Sequence, residues 1–208
     1  MKALSIIIPT FDEAKNITAL LEQLSGLRAR GAQIIVADGG SSDNTLELAE
    51  PLSDLIVKSA RGRAQQLNAG ARHARGDAML FLEADTRLPE SADEIISEAL
   101  QQFHWGRFDL DIAGSNKLLP LLARTINLRS RLTGIATSEQ AMFVKRALFH
   151  HLGGFDAIAT MEDVELSKRL KRAAMPACLH ERVVSSGKRW ENHAMVRTAL
   201  LHGGLRAA

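Results

Sequence analysis

AMLFLEAD, residues 78–85, is an apolar run that ends abruptly in the carboxylates Glu83 and Asp85. Such a run is typical of a strand that is buried on both faces of a parallel sheet. Similar runs precede it at residues 4–9, 33–38 and 54–59. Helical patterns lie between the runs, at about residues 14–27, 43–50 and 63–75. This alternation indicates an α/β fold, in which right-handed crossovers join parallel strands and helices cover both faces of the sheet.

The second half of the chain is less regular. Residues 106–112 alternate between apolar and polar side chains, which predicts a strand with one face in water. The other predicted elements are a strand at 140–146 and helices at 117–132, 161–173 and 189–206. The length of 208 residues and the 46% hydrophobic content predict a single domain with one well-filled core.

The composition also bears on the compartment of the protein. The single cysteine, Cys178, cannot form an internal disulfide, which favours a reducing compartment. No apolar stretch approaches the roughly 18 residues that a membrane-spanning helix needs. The apolar run near the amino terminus is shorter than the core of a signal peptide. We therefore expect a cytoplasmic protein.

Charge is distributed unevenly along the chain. Residues 1–116 hold 11 Lys and Arg against 17 Asp and Glu, a net charge of −6, whereas residues 117–208 hold 15 against 7, a net charge of +8. A basic half can face phosphates, an anionic membrane or nucleic acid, or form solvated helix faces. The aromatic content of 4% and the absence of Tyr argue against nucleic acid. The basic, leucine-containing helix 117–132 either packs on the sheet or lies peripherally on the inner face of a membrane.

Polar residues follow three of the predicted parallel strands, where ligands of open α/β sheets bind. The first strand ends at Pro9 and Thr10, the second at Asp38, and the fourth at Glu83 and Asp85. Two acids in an i, i+2 arrangement can hold Mg²⁺ or Mn²⁺, which in turn binds a diphosphate. Alternatively, Asp38 only forms a turn with the glycines after it, and the two acids only cap the next helix. Neither a P-loop nor a GxGxxG motif offers another phosphate cradle.

The motifs together resemble those of family 2 inverting glycosyltransferases with the GT-A fold. The matching stretches are SIIIPTFDEAKNI, IIVADGGSSDNT, GRAQQLNAGARHARGD, LFLEADT, MEDVELSKRLKR and SGKRW. More narrowly, WGRFD, NLRSRLTGIAT and the GGF segment resemble small bacterial transferases linked to arsenosugar biosynthesis. The resemblance implies a Rossmann-like, mostly parallel nucleotide-binding sheet flanked by helices. It also implies a nucleotide-sugar-binding half at about 1–115 and an acceptor-binding half at about 116–208.

The resemblance implies roles for individual residues. Asp163 would be the base that deprotonates an acceptor hydroxyl, and Asp85, supported by Glu83, would hold Mn²⁺ or Mg²⁺. The donor, a nucleotide-diphosphate sugar and typically a UDP-sugar, would contact Pro9, Thr10, Phe11, Glu13, Asp38, Arg63 and Asp85. The acceptor would contact Glu162, Arg189 and Trp190. A single in-line displacement requires such a base on one face of the sugar and a stabilised leaving group on the other.

Several alternatives stay open. Asp163 can instead be a helix N-terminal acid, and Trp190 can be a core residue. The narrower group usually carries His where this chain has Glu83, and Gly-Asp where it has Ser138 and Glu139. A nucleotidyltransferase shares the metal chemistry but needs a glycine-rich loop after the first strand, and the third possibility is a non-catalytic nucleotide-sugar-binding protein. The donor sugar, the acceptor and the oligomeric state are left open.

Overall fold

The computed structural model describes residues 4–190. Its strands are β1 (Leu4–Thr10), β2 (Gln33–Asp38), β3 (Leu55–Lys58), β4 (Ala78–Phe81), β5 (Thr86–Arg87), β6 (Trp105–Ala113), β7 (Phe143–Lys145) and β8 (Ala177–Ser186). Its α-helices are α1 (Ile17–Gln23), α2 (Ser25–Ala29), α3 (Thr45–Ala49), α4 (Arg63–Arg72), α5 (Ala92–Gln102), α6 (Leu119–Thr133), α7 (Arg146–His151) and α8 (Glu162–Ala173). Short 3-10 helices span Glu50–Leu52, Ser138–Gln140 and Gly187–Trp190.

The strands form one sheet in the order β3-β2-β1-β4-β7-β6-β8-β5. The first four strands of this order pair in parallel. β7 is antiparallel to both of its neighbours, β6 and β8 are parallel, and β5 closes the edge in antiparallel orientation. The predicted α/β sheet with helices on both faces is confirmed, and its parallel part contains the four apolar runs of the first half.

Alternate residues of β1 and β2 point to opposite sides of the sheet, and both sides are buried. Ile6 and Val36 belong to one hydrophobic cluster, which α1, α5 and α6 cover. Ile7 and Ile35 belong to a second cluster, beneath α4 and α8. Burial on both faces explains why these strands read as continuous apolar runs.

α4 lies very close to the sheet because it presents Gly70 to it. A Cβ atom at Gly70 would lie 2.5 Å from Ile7 Cγ2 and 3.4 Å from Ala37 Cβ. A larger side chain would therefore push the helix away from β1 and β2. This close approach brings the first turn of α4 over the carboxyl ends of the parallel strands.

The prediction that residues 106–112 have one face in water is wrong. Arg107 is 1% exposed and Asp109 is also buried, because α6 covers them with Ser130 and Arg131. Arg107 and Asp109 form an ion pair, Arg107 Nε donates to Ser130 Oγ at 3.0 Å, and Arg131 Nη2 donates to Asp109 Oδ2 at 2.7 Å. The polar side chains of an alternating strand can therefore be buried when their charges are paired.

The other elements of the second half agree in part with the predictions. The helices predicted at 117–132 and 161–173 are α6 and α8. The strand predicted at 140–146 is shorter, because a 3-10 helix occupies Ser138–Gln140. β8 was not predicted. The helix predicted at 189–206 lies almost wholly outside the described residues, within which only Arg189 and Trp190 belong to a 3-10 helix.

Candidate active site

The carboxyl ends of three neighbouring parallel strands form the rim of the candidate site. Thr10 of β1 and Asp38 of β2 are register partners, and Thr10 Oγ1 donates to Asp38 Oδ1 at 3.2 Å. β4 pairs with β1 only as far as Ile7 and then continues into Glu83 and Asp85. Pro9, which lacks a backbone donor, thus lies beyond the last β4 partner. The strand ends that the sequence singled out are therefore side by side.

The Asp38 carboxylate is fully buried and organises the loop after β2. Its Oδ2 accepts hydrogen bonds from the backbone N–H groups of Gly40 at 2.8 Å and Ser41 at 2.9 Å. Its Oδ1 accepts from Ser41 Oγ at 2.5 Å. Gly40 has φ 93°, which favours glycine. The turn that the sequence left open as one explanation of Asp38 is therefore present.

The loops after β1 and β2 are tied together by two carboxylates that sequence reasoning missed. Asp12, at φ 54°, accepts a hydrogen bond from Ser42 N at 2.8 Å. Asp43 accepts from Ala14 N at 3.1 Å and from the Thr45 side chain. The Thr45 hydroxyl, chiefly, lowers the pKa of Asp43. The same strand-end argument that found Asp38 could have found both residues.

Phe11 and Glu13 lie in the loop after β1. The Arg61 guanidinium carbon lies 4.0 Å from the centroid of the half-buried Phe11 ring, a cation–π contact. Glu13 accepts a hydrogen bond from Asn16 Nδ2 at 2.7 Å, and its backbone oxygen accepts from Asn16 and Ile17 at the start of α1. Arg61 had no signal in the sequence, because its contact depends on the position of a loop.

Gln66 on α4 holds the two loops to the helix. Its Nε2 donates to the backbone oxygen of Thr10 at 2.6 Å and to that of Ala37 at 3.1 Å. The side chain is buried. Gln66 therefore satisfies carbonyl groups where β1 and β2 stop pairing, and it fixes the rim relative to the first turn of α4.

Arg63, in that first turn, joins the loop after β4 to α8. Its Nε donates to Glu83 Oε1 at 2.8 Å, and the guanidinium also forms ion pairs with Glu83 and with Glu162. Burial lowers the pKa of Arg63, but the two carboxylates outweigh it and raise that pKa above its ordinary value. Burial raises the pKa of Glu83, and Arg63 only partly offsets this. Three residues that the sequence assigned to separate roles thus form one network.

Asp163 follows Glu162 in the first turn of α8. Its Oδ2 accepts a hydrogen bond from Ser138 N at 2.6 Å, and its Oδ1 accepts from Val164 N at 2.7 Å. Burial raises the pKa of the Asp163 carboxyl, while the charge of Arg63 and these two N–H groups act in the opposite direction. The residue is thus a half-buried carboxylate with enhanced basicity, positioned at the loop that carries Ser138.

Arg129 on α6 is a further cation near this carboxylate. Among the described residues, none accepts a hydrogen bond from its buried Nε or Nη2. Burial lowers the pKa of Arg129, and the charges of Glu139 and Asp163 oppose that shift. Sequence reasoning missed this residue, since one arginine among several on a basic helix carries no distinguishing pattern.

Asp85 is the carboxylate best able to hold a cation. It is half-buried, and in the described part of the chain only Thr86 Oγ1 donates to its side chain, at a long 3.3 Å. Within residues 4–190, no three His, Cys, Asp or Glu side chains group together as a metal site. A single carboxylate nevertheless fits Mg²⁺ or Mn²⁺ at a diphosphate site, because these ions take their remaining ligands from water and phosphate oxygens.

Arg189 and Trp190 lie in the 3-10 helix that follows β8. Ser186, at the end of β8, donates its backbone N–H to the backbone oxygen of Asp85 at 3.3 Å. The backbone of this segment therefore leaves the sheet next to Asp85, in the loop after β4. The side chains of Arg189 and Trp190 lie outside the described part, so their acceptor contacts stay a prediction.

Comparison with known proteins identifies the family. A model described as "Glycosyl transferase family 2" matches residues 5–134, which is more than half of the chain. An uncharacterized glycosyltransferase of Haemophilus influenzae is 24% identical over 180 residues, which cover 80% of this chain and 61% of that protein.

Two solved structures show the same fold. The Staphylococcus aureus protein TarS, residues 1–349, in complex with UDP-GlcNAc has a TM-score of 0.69 and 19% identity, over 90% of this chain and 57% of that one. A mannosyltransferase of Pyrobaculum calidifontis in complex with GDP-Man and Mn²⁺ has a TM-score of 0.70 and 21% identity, over 95% of this chain and 61% of that one. The chain thus spans about three-fifths of these relatives. Its fold and its matched segment make it a member of glycosyl transferase family 2.

Proposed function

We propose that this protein transfers a sugar from a nucleotide-diphosphate donor to an acceptor hydroxyl, with inversion at the anomeric carbon. The observation that carries the proposal is the Arg63 network. It joins Glu83, beside the cation-holding Asp85, to Glu162, beside the basic Asp163. One guanidinium thus holds Glu83 and Glu162, the neighbours of the two carboxylates that we propose for the metal, Asp85, and for the base, Asp163.

The relatives support a nucleotide-sugar donor. The TarS structure contains UDP-GlcNAc, and the P. calidifontis mannosyltransferase contains GDP-Man with Mn²⁺. On this chain we assign the donor to the rim formed by β1, β2 and β4, and we propose UDP as its nucleotide. The donor-side residues are Pro9, Thr10, Phe11, Glu13, Asp38, Arg63 and Asp85.

The contacts of these residues suggest a separate role for each of them in donor binding. Phe11 and Arg61 form a stacked pair that can border a base. The carboxylate oxygens of Asp38 accept hydrogen bonds from the loop after β2. We therefore propose that Asp38 affects binding of the nucleobase chiefly by holding that loop. Arg63 supplies positive charge near the departing diphosphate while it holds Glu83.

Asp85 would hold Mn²⁺ or Mg²⁺, with Glu83 contributing through its position rather than as a free ligand, since Arg63 occupies it. When bound, such an ion neutralises charge that develops on the diphosphate leaving group. The structural relative with Mn²⁺ supports a divalent ion. The identity of the ion at Asp85 is part of the proposal.

Asp163 would accept the proton of the acceptor hydroxyl. The elevated pKa makes its carboxylate a stronger base, and Arg63 with two N–H groups favours the ionised form. The acceptor would also meet Arg189 and Trp190. Glu162 is buried and paired with Arg63, which favours a positioning role over the acceptor contact that the family resemblance implies.

We further propose that the protein is a hexosyltransferase similar to the small bacterial transferases linked to arsenosugar biosynthesis. The motifs WGRFD and NLRSRLTGIAT support this assignment. Glu83 and the Ser138-Glu139 pair depart from that group. Both departures lie at the network around Arg63 and Asp163, where an altered acceptor would have its effect.

The first experiment is a thermal-shift series with UDP, GDP, CDP and dTDP, each with and without Mn²⁺. We expect one diphosphate to stabilise the protein, only with metal, because a ligand that binds the folded state raises the melting temperature. Asp85→Asn should abolish this shift, whereas the control Glu90→Gln, an exposed acid nearby, should retain it. A protein that no diphosphate stabilises, with or without metal, would contradict the proposal.

A further inference from the structure

The outer face of α6 carries a stripe of exposed leucines. Leu121, Leu128 and Leu132 are 53%, 57% and 77% exposed. Their spacing of seven and then four residues aligns them along one side of the helix. We call these three residues the leucine stripe. Large apolar side chains in such a row are more than the scattered exposure that any surface shows.

The fold does not need the leucine stripe, because the opposite face of α6 already anchors the helix. Leu119, Leu122 and Ala123 are buried against β6. The Asn127 side chain accepts from Leu110 N at 2.8 Å and donates to Leu110 O at 2.9 Å. The helix is therefore fixed, and its orientation presents the leucine stripe outward.

The charged residues of α6 itself all have one sign. α6, Leu119–Thr133, contains no acidic residue. Arg124 lies on the stripe's side and is exposed, and Lys117 just before the helix is exposed as well. Arg131 is balanced by Asp109. Within residues 4–190, neither Lys117 nor Arg124 forms an ion pair. An apolar stripe flanked by such cations matches the chemistry of an anionic lipid surface, with acyl chains beneath and phosphates above.

We propose that α6 binds in the plane of a membrane that contains anionic phospholipids. The leucine stripe enters the boundary of the acyl chains, and Lys117 and Arg124 meet the headgroup phosphates. The attachment is peripheral: between residues 4 and 190, no helix combines the length and the apolar character that crossing a bilayer requires. The inference goes beyond the proposed function, since lipid binding requires no sugar transfer.

The test is flotation of the full chain with vesicles of phosphatidylcholine alone or mixed with phosphatidylglycerol. We expect binding to the mixed vesicles, weakened by salt. The triple variant Leu121→Gln, Leu128→Gln, Leu132→Gln should bind about ten-fold more weakly. The matched control Ile158→Gln, Met175→Gln removes exposed apolar side chains outside α6 and should bind like the wild type.

Three outcomes would overturn the proposal. The wild type floats with neither vesicle type, as expected if another segment of the chain covers the stripe. The triple variant floats as well as the wild type, so that another surface binds lipid. The wild type is a dimer by light scattering, the triple variant is a monomer, and neither binds vesicles, which would make the stripe an interface between two copies.

Discussion

At the scale of single residues, a substitution of Asp163 distinguishes nucleotide binding from catalysis. The backbone N–H of Ser138 holds this carboxylate, which we propose as the group that takes the acceptor's proton. Asp163→Asn should keep nucleotide affinity but lower kcat by about 100-fold or more, because an amide cannot accept the proton. Steady-state kinetics together with UDP binding would measure this, with Glu165→Gln in the same helical turn as the control. A variant with normal turnover would exclude Asp163 as the base.

The pKa of Asp163 also links it to stability. Burial raises that pKa in the folded chain, so between the unfolded and folded values the folded chain binds more protons. The free energy of unfolding then falls as the pH rises through this window. We expect Asp163→Asn to be more stable than the wild type at neutral pH, with a difference that shrinks toward about pH 3.9, the ordinary value for Asp. Urea unfolding across this range would reveal the opposite sign if the hydrogen bonds of Asp163 dominate.

Arg63 should matter for stability as well as for turnover. Arg63→Gln leaves the buried Glu162 and the neighbouring Glu83 without their cation. We expect a loss of about 2 to 3 kcal/mol in the free energy of unfolding, less than for a fully buried pair because Arg63 is partly exposed.

A second substitution, at Glu162, tests the Arg63–Glu162 pair by itself, and the ion pair between Arg28 and Asp54 provides the control. Adding Glu162→Gln to Arg63→Gln should restore part of the loss, which a double-mutant cycle in urea would measure. Arg28→Gln removes the exposed pair with Asp54 and should cost at most about 1 kcal/mol. Equal losses for Arg63→Gln and Arg28→Gln would show that the network contributes no more than a surface ion pair.

The sequence singled out residues at the ends of strands but not the contacts that these residues make. Thr10, Asp38 and Asp85 were found because each ends an apolar strand. The bond between Arg63 and Glu162 spans 99 positions, and no local pattern encodes such a distance. Arg61, Gln66 and Arg129 were missed for the same reason: their contacts arise only when loops and helices are placed on the sheet.

At the scale of elements, β6 and α6 depend on a buried charge pair. Asp109 accepts from both Arg107 and Arg131. Asp109→Asn would leave the Arg107 cation unpaired in the interior, and we expect a loss of about 3 kcal/mol or more in the free energy of unfolding. The control Asp111→Asn removes a carboxylate that, among the described residues, accepts only from the adjacent Ile112 N, and it should change stability by less than about 0.5 kcal/mol. Similar losses for Asp109→Asn and Asp111→Asn in urea unfolding would contradict the special role of the buried charge pair.

The elements that were misjudged share a physical cause. β6 alternates like a strand with one face in water, but its charged side chains are paired and are covered by residues of α6. β8 was missed because its centre is exposed and its pairing with β6 shifts between Arg107 and Asp109. The strands β1, β2 and β4 were predicted correctly because burial on both faces favours long apolar runs, a signal that needs no knowledge of partners.

At the scale of the whole molecule, the two predicted halves share one sheet. β7 belongs to the acceptor half by sequence, but it pairs with β4 of the donor half and with β6. The division at about residue 115 therefore stays a prediction about ligands and does not describe separate folding units. Sequence alternation predicts which strands exist, whereas strand order depends on long-range packing.

The position of β7 between β4 and β6 has a consequence for biosynthesis. The edge of β4 stays unpaired until residue 145, the end of β7, has left the ribosome. Until then the nascent chain presents an apolar strand edge, which can pair with another chain. Synthesis therefore passes through a stage at which the growing polypeptide exposes this edge, and a translational pause before β7 would lengthen that stage.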